Sequence, residues 1–127
     1  MKQLTRAEEE VMQILWRLKN AYVRDILDQF PDPKPAYNTV STIVRILEKK
    51  GFVDYKAYGK THEYFPIIDK KDYRSSFLKG FVSNYFGNSY KALASFFTKQ
   101  ESMSIKELEE LREIIDKEIE RKQDDNG

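Results

Sequence analysis

Asn38, Ser41, Thr42, Arg45 and Lys49 stand at intervals i, i+3, i+4, i+7 and i+11, so a helix through them carries all five on one face. The chemistry of that face changes along its length. Short uncharged donors at the front suit base edges, and the arginine and lysine behind them suit phosphate oxygens. Taken alone, the stripe is also what the solvated face of any amphipathic helix looks like. Lys56 and Lys60 follow, then the single histidine, His62. Between Lys34 and His62 six cations (Lys34, Arg45, Lys49, Lys50, Lys56, Lys60) stand against Glu48 and Asp54, a local excess of +4, while the stretch from Asp69 onward carries −1 and the whole chain +1. A basic centre beside an acid-leaning tail suggests two jobs in one chain. A lysine-rich solvated surface is the competing reading.

Little else in the sequence has the makings of a reactive site. There are no cysteines, which excludes disulfides, thiolate zinc sites and cysteine nucleophiles. One histidine is too few for a histidine metal site or a Ser-His-Asp triad. No glycine-rich phosphate loop is present and the acids are scattered over helical surfaces, so no enzyme, metal or cofactor is expected. With 127 residues, 40% hydrophobic and 34% charged, the chain can bury a modest core in one or two small domains. Its mean hydropathy is −0.69, and no run approaches the eighteen apolar residues of a membrane span. MKQLTRAEEE carries three glutamates where a signal peptide needs an apolar stretch, so a cytoplasmic protein is expected.

The elements that must hold the polar stripe follow from hydrophobic spacing. Leu4, Ala7, Val11, Ile14, Leu15 and Leu18 predict a helix over Thr5–Leu18, opened by a Thr5/Glu8 capping box and ended by Asn20. Trp16 falls off that stripe, so it flanks the core or packs against another part of the molecule. A short second helix is expected over Tyr22–Phe30, before the prolines of PDPKP (Pro31, Pro33, Pro35) forbid helix. The third helix, Ala36–Lys50, buries Val40, Ile43, Val44 and Leu47 and stops at Gly51. FVDYKAY and THEYFPII then read as two strands joined at Gly59-Lys60, a tight-turn signal. Three helices followed by a basic hairpin make a winged helix-turn-helix over residues 1–68, with Lys56 and Lys60 on the wing against the sugar-phosphate backbone.

From Asp69 the chain becomes aromatic and helical. Helices are expected over Asp69–Phe86, from an Asn88 cap to about Lys99, and from a Ser104/Glu107 capping box onward. Three such helices bury little surface alone. A symmetric homodimer that interleaves them would supply the missing partner, with Phe77, Phe81, Tyr85, Leu93, Phe97, Leu108, Leu111 and Ile115 at the interface. Folding back onto the winged helix of the same chain is the alternative. The fold class is therefore mainly α with a small β-hairpin: a winged helix-turn-helix, then a helical dimerisation domain over 69–127.

LTRAEEEVMQILW (Leu4–Trp16), YNTVSTIVRILEKKGFV (Tyr37–Val53), YGKTHEYFP (Tyr58–Pro66), KGFVSNYFGNSYKALASFF (Lys79–Phe97) and KELEELREIID (Lys106–Asp116) together resemble the BlaI/MecI/CopY penicillinase-repressor family. The resemblance implies a homodimeric transcriptional repressor on a palindromic operator, its half-sites separated by about one DNA turn of ~10 bp or a small multiple. It implies that the third helix enters the major groove, with Asn38, Thr39, Ser41 and Thr42 toward bases and Arg45 nearer the backbone. The best-studied repressors of this kind carry Lys and Arg where this chain has Asn38 and Ser41, which implies a different operator sequence. The copper-responsive branch senses metal with cysteines, absent here. The β-lactam branch implies a membrane sensor-protease partner and a cut in the dimerisation region at an Asn-Phe bond, which aligns with Phe96-Phe97. Two other classes stay open: a winged-helix protein–protein module, and a ligand-responsive regulator whose aromatic tail lines a pocket. A protein–protein surface would show apolar anchors along Asn38–Lys49, where the stripe is polar and basic.

Overall fold

A computed structural model describes residues 2–100 and 102–126. The chain forms two compact units, Met1–Lys79 and Gly80–Gly127. The first holds α1 (Arg6–Leu18), α2 (Val23–Asp28), α3 (Tyr37–Lys49), β1 (Val53–Tyr58), β2 (Thr61–Pro66) and the first turns of α4 (Lys70–Phe86); the second holds the rest of α4, α5 (Tyr90–Gln100) and α6 (Ile105–Asn126).

Thr5 caps α1 as its spacing to Glu8 predicts: Glu8 N–H donates to Thr5 Oγ1 at 3.2 Å and Thr5 N–H to Glu8 Oε1 at 3.1 Å. The helix ends at Leu18, the expected last residue, but it is Lys19 at positive φ (74°) rather than Asn20 that closes it. The second helix is shorter than Tyr22–Phe30, because Tyr22 is extended and caps it and Gln29 closes it. Helix α3 ends in a Schellman motif. Gly51 takes φ 82°, its N–H donates to Glu48 O, and Phe52 N–H donates to Leu47 O at 2.9 Å. That turn sends Phe52, fully buried, straight into the core.

The hairpin pairs Val53 with Pro66 through to Tyr58 with Thr61, antiparallel, across the two-residue loop Gly59-Lys60. Only Gly59 of the two takes positive φ (64°), as the first position of a II′ turn requires. Ala21 adds a one-residue third strand, exchanging both backbone hydrogen bonds with Tyr64 at 2.9 and 2.7 Å. Helices α1, α2 and α3 bury Val11, Met12, Leu15, Ile26, Val40, Val44 and Leu47 together, with Phe52, Val53 and Tyr64 from the wing. This is a winged helix.

Two polar ties hold the frame. Lys50 at the C-terminus of α3 pairs with the buried Glu8 and also donates to Gln3 O. Burial pushes the Glu8 carboxyl up, but hydrogen bonds from Lys50 and Thr5 and the Lys50 charge outweigh it and hold its pKa below the ordinary 4.5. At the start of α4, Tyr73 Oη donates to Glu9 Oε1 at 2.7 Å, its ring 5.8 Å from Trp16 and 5.7 Å from Phe52. Burial, reinforced by that bond and the Glu9 charge, pushes the Tyr73 hydroxyl up to about 12. Trp16 fills both of its expected roles: it flanks the core, and its indole Nε1 donates to Ile68 O at 2.8 Å.

In the second unit Asn88 is not the cap of α5. Asn88 sits at φ 66° behind Gly87, its N–H returning to Val82 O, and Ser89 Oγ accepts from Ala92 N–H at 3.0 Å instead. The left-handed turn that ends α4 consumes Asn88, so the next polar residue takes the cap. The Ser104/Glu107 capping box opens α6, at 3.2 and 3.1 Å.

The Glu8–Lys50 pair makes a pH prediction. A carboxyl held below its unfolded pKa stabilises the fold fully above about 4.5, and that contribution is lost as pH falls through the folded value. Glu8→Gln should cost ~1–3 kcal/mol at neutral pH, toward the low end because Lys50 keeps contact with water. Urea melts at neutral and acid pH should then show a smaller acid loss in the variant than in the wild type. Equal acid losses would mean the pair contributes nothing.

Candidate nucleic-acid interface

Helix α3 divides cleanly. Val40, Val44 and Leu47 are fully buried, while Asn38, Thr39, Thr42, Arg45 and Lys49 are exposed and Ser41 is half-buried. The buried side is fixed by α1, α2 and the wing, so the polar side has no choice but to face outward. Arg45 reaches back one turn to Ser41, its Nη2 donating to Oγ at 3.0 Å. This lays the guanidinium back along the helix surface.

Between α3 and the wing lies a groove of about 520 Å³ lined by Tyr22, Val23, Arg24, Tyr37, Ser41, Arg45, Lys60, Thr61, His62 and Tyr64. Three cations enter it from three elements, and no lining side chain is a carboxylate. His62 stacks on Tyr55 at 4.0 Å between centroids, with the planes 8° apart, so its ring is fixed on the body-facing side of the hairpin. Burial raises the Tyr64 hydroxyl above its ordinary value, with the Glu48 charge second. The Tyr64 hydroxyl is thereby kept a neutral donor at physiological pH.

The expected residues are therefore only partly gathered. Ser41, Arg45 and Lys60 share the groove, and Asn38, Thr42 and Lys49 continue the exposed face of α3. Thr39 lies round the helix, in a separate groove with Ala7, Pro33, Pro35 and Ile43. Lys56 stands opposite Glu63 in the hairpin, on the face away from Tyr55 and Tyr64. Of the other cations in the basic window, Lys34 is occupied: its Nζ donates to Asp28 O and Phe30 O at the end of α2. Sequence reading passed over Arg24 and Tyr37. Arg24 stands outside the charge window that begins at Lys34, and α2 draws attention through its apolar side.

Chemically, the arrangement offers an outward helix face of neutral donors and acceptors flanked by cations on the helix, on α2 and at a hairpin tip. This pattern suits a polyanion with hydrogen-bonding groups between its charges, which is a DNA duplex with a major groove wide enough for a helix.

Comparison with known proteins places the sequence in a family. A family model described as penicillinase repressor matches residues 4–117. The methicillin resistance regulatory protein MecI of Staphylococcus aureus strain N315 is 31% identical over 116 residues, covering 91% of this chain and 94% of that protein. The penicillinase repressor of Bacillus licheniformis is 24% identical over 123 residues, covering 96% of each. Among solved structures, the DNA-binding domain of the repressor BlaI is 28% identical with a TM-score of 0.49, over 56% of this chain and 88% of that domain.

Proposed function

The chain belongs to the penicillinase repressor family, and on that premise we propose that it works as a homodimer that binds a palindromic operator and represses genes of the β-lactam-resistance type. The family is one of DNA-binding transcriptional repressors, not of enzymes. The observation that carries the reading is the divided helix α3, buried on one side and bearing Asn38, Thr42, Arg45 and Lys49 on the other, beside a carboxylate-free groove.

In this reading residues 1–68 bind DNA and residues 69–127 make the dimer, and the protein acts in the cytoplasm, where its operator is. Asn38, Thr39, Ser41 and Thr42 read base edges; Arg45, Lys49, Lys56 and Lys60 hold phosphates. An asparagine at position 38 suits adenine, to which its amide presents a donor and an acceptor together.

The dimer is supported by what the second unit leaves uncovered. Among its described residues Val82 alone is a buried apolar side chain. Tyr85 is 73% exposed and Ile105 76%, and Leu108 and Ile115 are also open to solvent. Phe81, Tyr85, Phe86 and Phe96 form a ring cluster with centroids 5.1–5.7 Å apart, half open to water. So much contiguous apolar surface calls for a partner, and a second copy with Phe77, Phe81, Tyr85, Leu93, Phe97, Leu108, Leu111 and Ile115 at the interface satisfies it isologously. Derepression in this reading starts from a membrane sensor-protease system and ends with a cut at Phe96-Phe97. Both residues lie inside α5, so the helix must open locally before a protease can engage that bond.

Two measurements test these roles. Arg45→Ala or Lys60→Ala should weaken binding to all duplexes and flatten the salt dependence by ~0.9 per lost phosphate contact, whereas Asn38→Ala or Thr42→Ala should cost ~1–3 kcal/mol on the operator and little on random DNA. Binding isotherms for the DNA upstream of the chain's own gene, beside random DNA, separate the two classes; four variants behaving alike would refute the division of labour. For the dimer, the double substitution Leu111→Glu, Ile115→Glu should yield a folded monomer by sedimentation velocity, with operator affinity lower by orders of magnitude. A variant that stays dimeric would place the interface elsewhere.

A further inference from the structure

Arg24 is an arginine with no carboxylate among the described residues. Its neighbour Asp25 is committed elsewhere, Oδ2 accepting from Tyr22 N–H at 2.9 Å. Of the other exposed arginines, Arg6 pairs with Glu10 and Arg121 with Glu118 and Asp125, while Arg17, Arg45, Arg74 and Arg112 form no ion pair among the described residues, so what sets Arg24 apart is its ring partner and its place in the groove. Arg24 instead holds its guanidinium over the Tyr37 ring, 5.9 Å from the centroid, at the mouth of the groove that Arg45 and Lys60 also line. An aromatic face engages the flat side of a guanidinium and leaves its in-plane N–H fork free to donate. Tyr37 is half exposed, so the stacked pair stands at the surface on the α3–wing side.

From this we infer that Arg24 is a DNA-backbone contact: with Arg45 and Lys60 it closes a clamp, drawn from α2, α3 and the wing, on the phosphates of one strand. Tyr37 is its positioning residue, holding the guanidinium before DNA arrives. The inference rests on the DNA-binding reading and adds to it a residue of the helix that precedes the reading helix. A duplex is the polyanion that the reading supplies, and a groove of about 520 Å³ lined by cations from three separate elements has room for a stretch of its backbone.

The test is a salt series of fluorescence-anisotropy binding to the upstream duplex and to random duplex, for the wild type, R24A, R24K, Y37A and Arg6→Ala as a charge-matched control on α1. The expected result for R24A is a log–log salt slope shallower by ~0.9 per protomer and an affinity lower by about tenfold, alike on both duplexes. R24K should recover the slope and only part of the affinity, Y37A should lose affinity with little change of slope, and Arg6→Ala should match the wild type. An R24A variant with wild-type slope overturns the clamp, as does one that loses preference for the upstream duplex alone. If R24A proves unfolded by circular dichroism, R24K decides: a wild-type affinity in it overturns the planar-fork contact. A wild type that binds neither duplex would instead overturn the DNA-binding reading itself, and the clamp with it.

Discussion

A carboxylate withdrawn from water must be answered by charge and hydrogen bonds, and the geometry of the winged helix turns on how Glu8 is answered. Its oxygen takes the Thr5 N–H that opens α1 and the Lys50 ammonium that closes α3. One side chain thus fixes where the first helix begins and where the third ends. The Schellman turn beside Lys50 then drives Phe52 into the core and launches the wing. The angle between the outward face of α3 and the hairpin follows from these neighbouring commitments more than from any property of the exposed residues. Those residues are free to be chosen for what they touch.

The charges divide on the same principle. Cations that the fold needs are already spent: Lys50 on Glu8, and Lys34 on the carbonyls of Asp28, the last residue of α2, and of Phe30 just beyond it. Arg24, Arg45 and Lys60 meet no carboxylate in their groove, and they enter it from three elements that are far apart in sequence. Unpaired like charges held near one another raise the energy of the free protein slightly and lower that of a complex with a polyanion, where counterion release adds to each contact. Net charge, at +1, would never have disclosed this.

How much could be read without coordinates depended on the range of the interaction. Capping boxes at Thr5/Glu8 and Ser104/Glu107, the stop at Gly51 and the hairpin at Gly59 were legible because a fixed spacing or a positive φ is a local demand. The polar stripe of α3 was legible for the same reason. Less visible were features decided by packing. Met12 is fully buried although it lies beside the apolar stripe, because α1 is covered on more than one side. Glu8 looked like a surface cap and is a buried ion pair, since its partner is 42 residues away. Asn88 and Ser89 are both good caps by type, and only the left-handed exit from α4 decides between them. Arg24 belongs with Lys60 only once the chain has folded.

The second unit raises a different physical question, that of what its apolar surface is for. A 22-residue helix such as α6, with no buried residue among those described, gains little from tertiary packing within its own chain. Intrahelical ion pairs such as Glu113–Lys117 and Arg121–Asp125, exposed and screened by solvent, stabilise it only slightly. In the proposed dimer the remainder comes from association, which ties the order of this unit to its partner. That dependence is useful. Two reading heads joined through paired helices convert the second half-site into an intramolecular encounter, at an effective concentration on the order of millimolar. A single break in α5 would remove both the stability of the helices and the linkage between half-sites, without altering any residue that touches DNA. Control would then act on the joining of two weak binders and leave the chemistry of recognition unchanged.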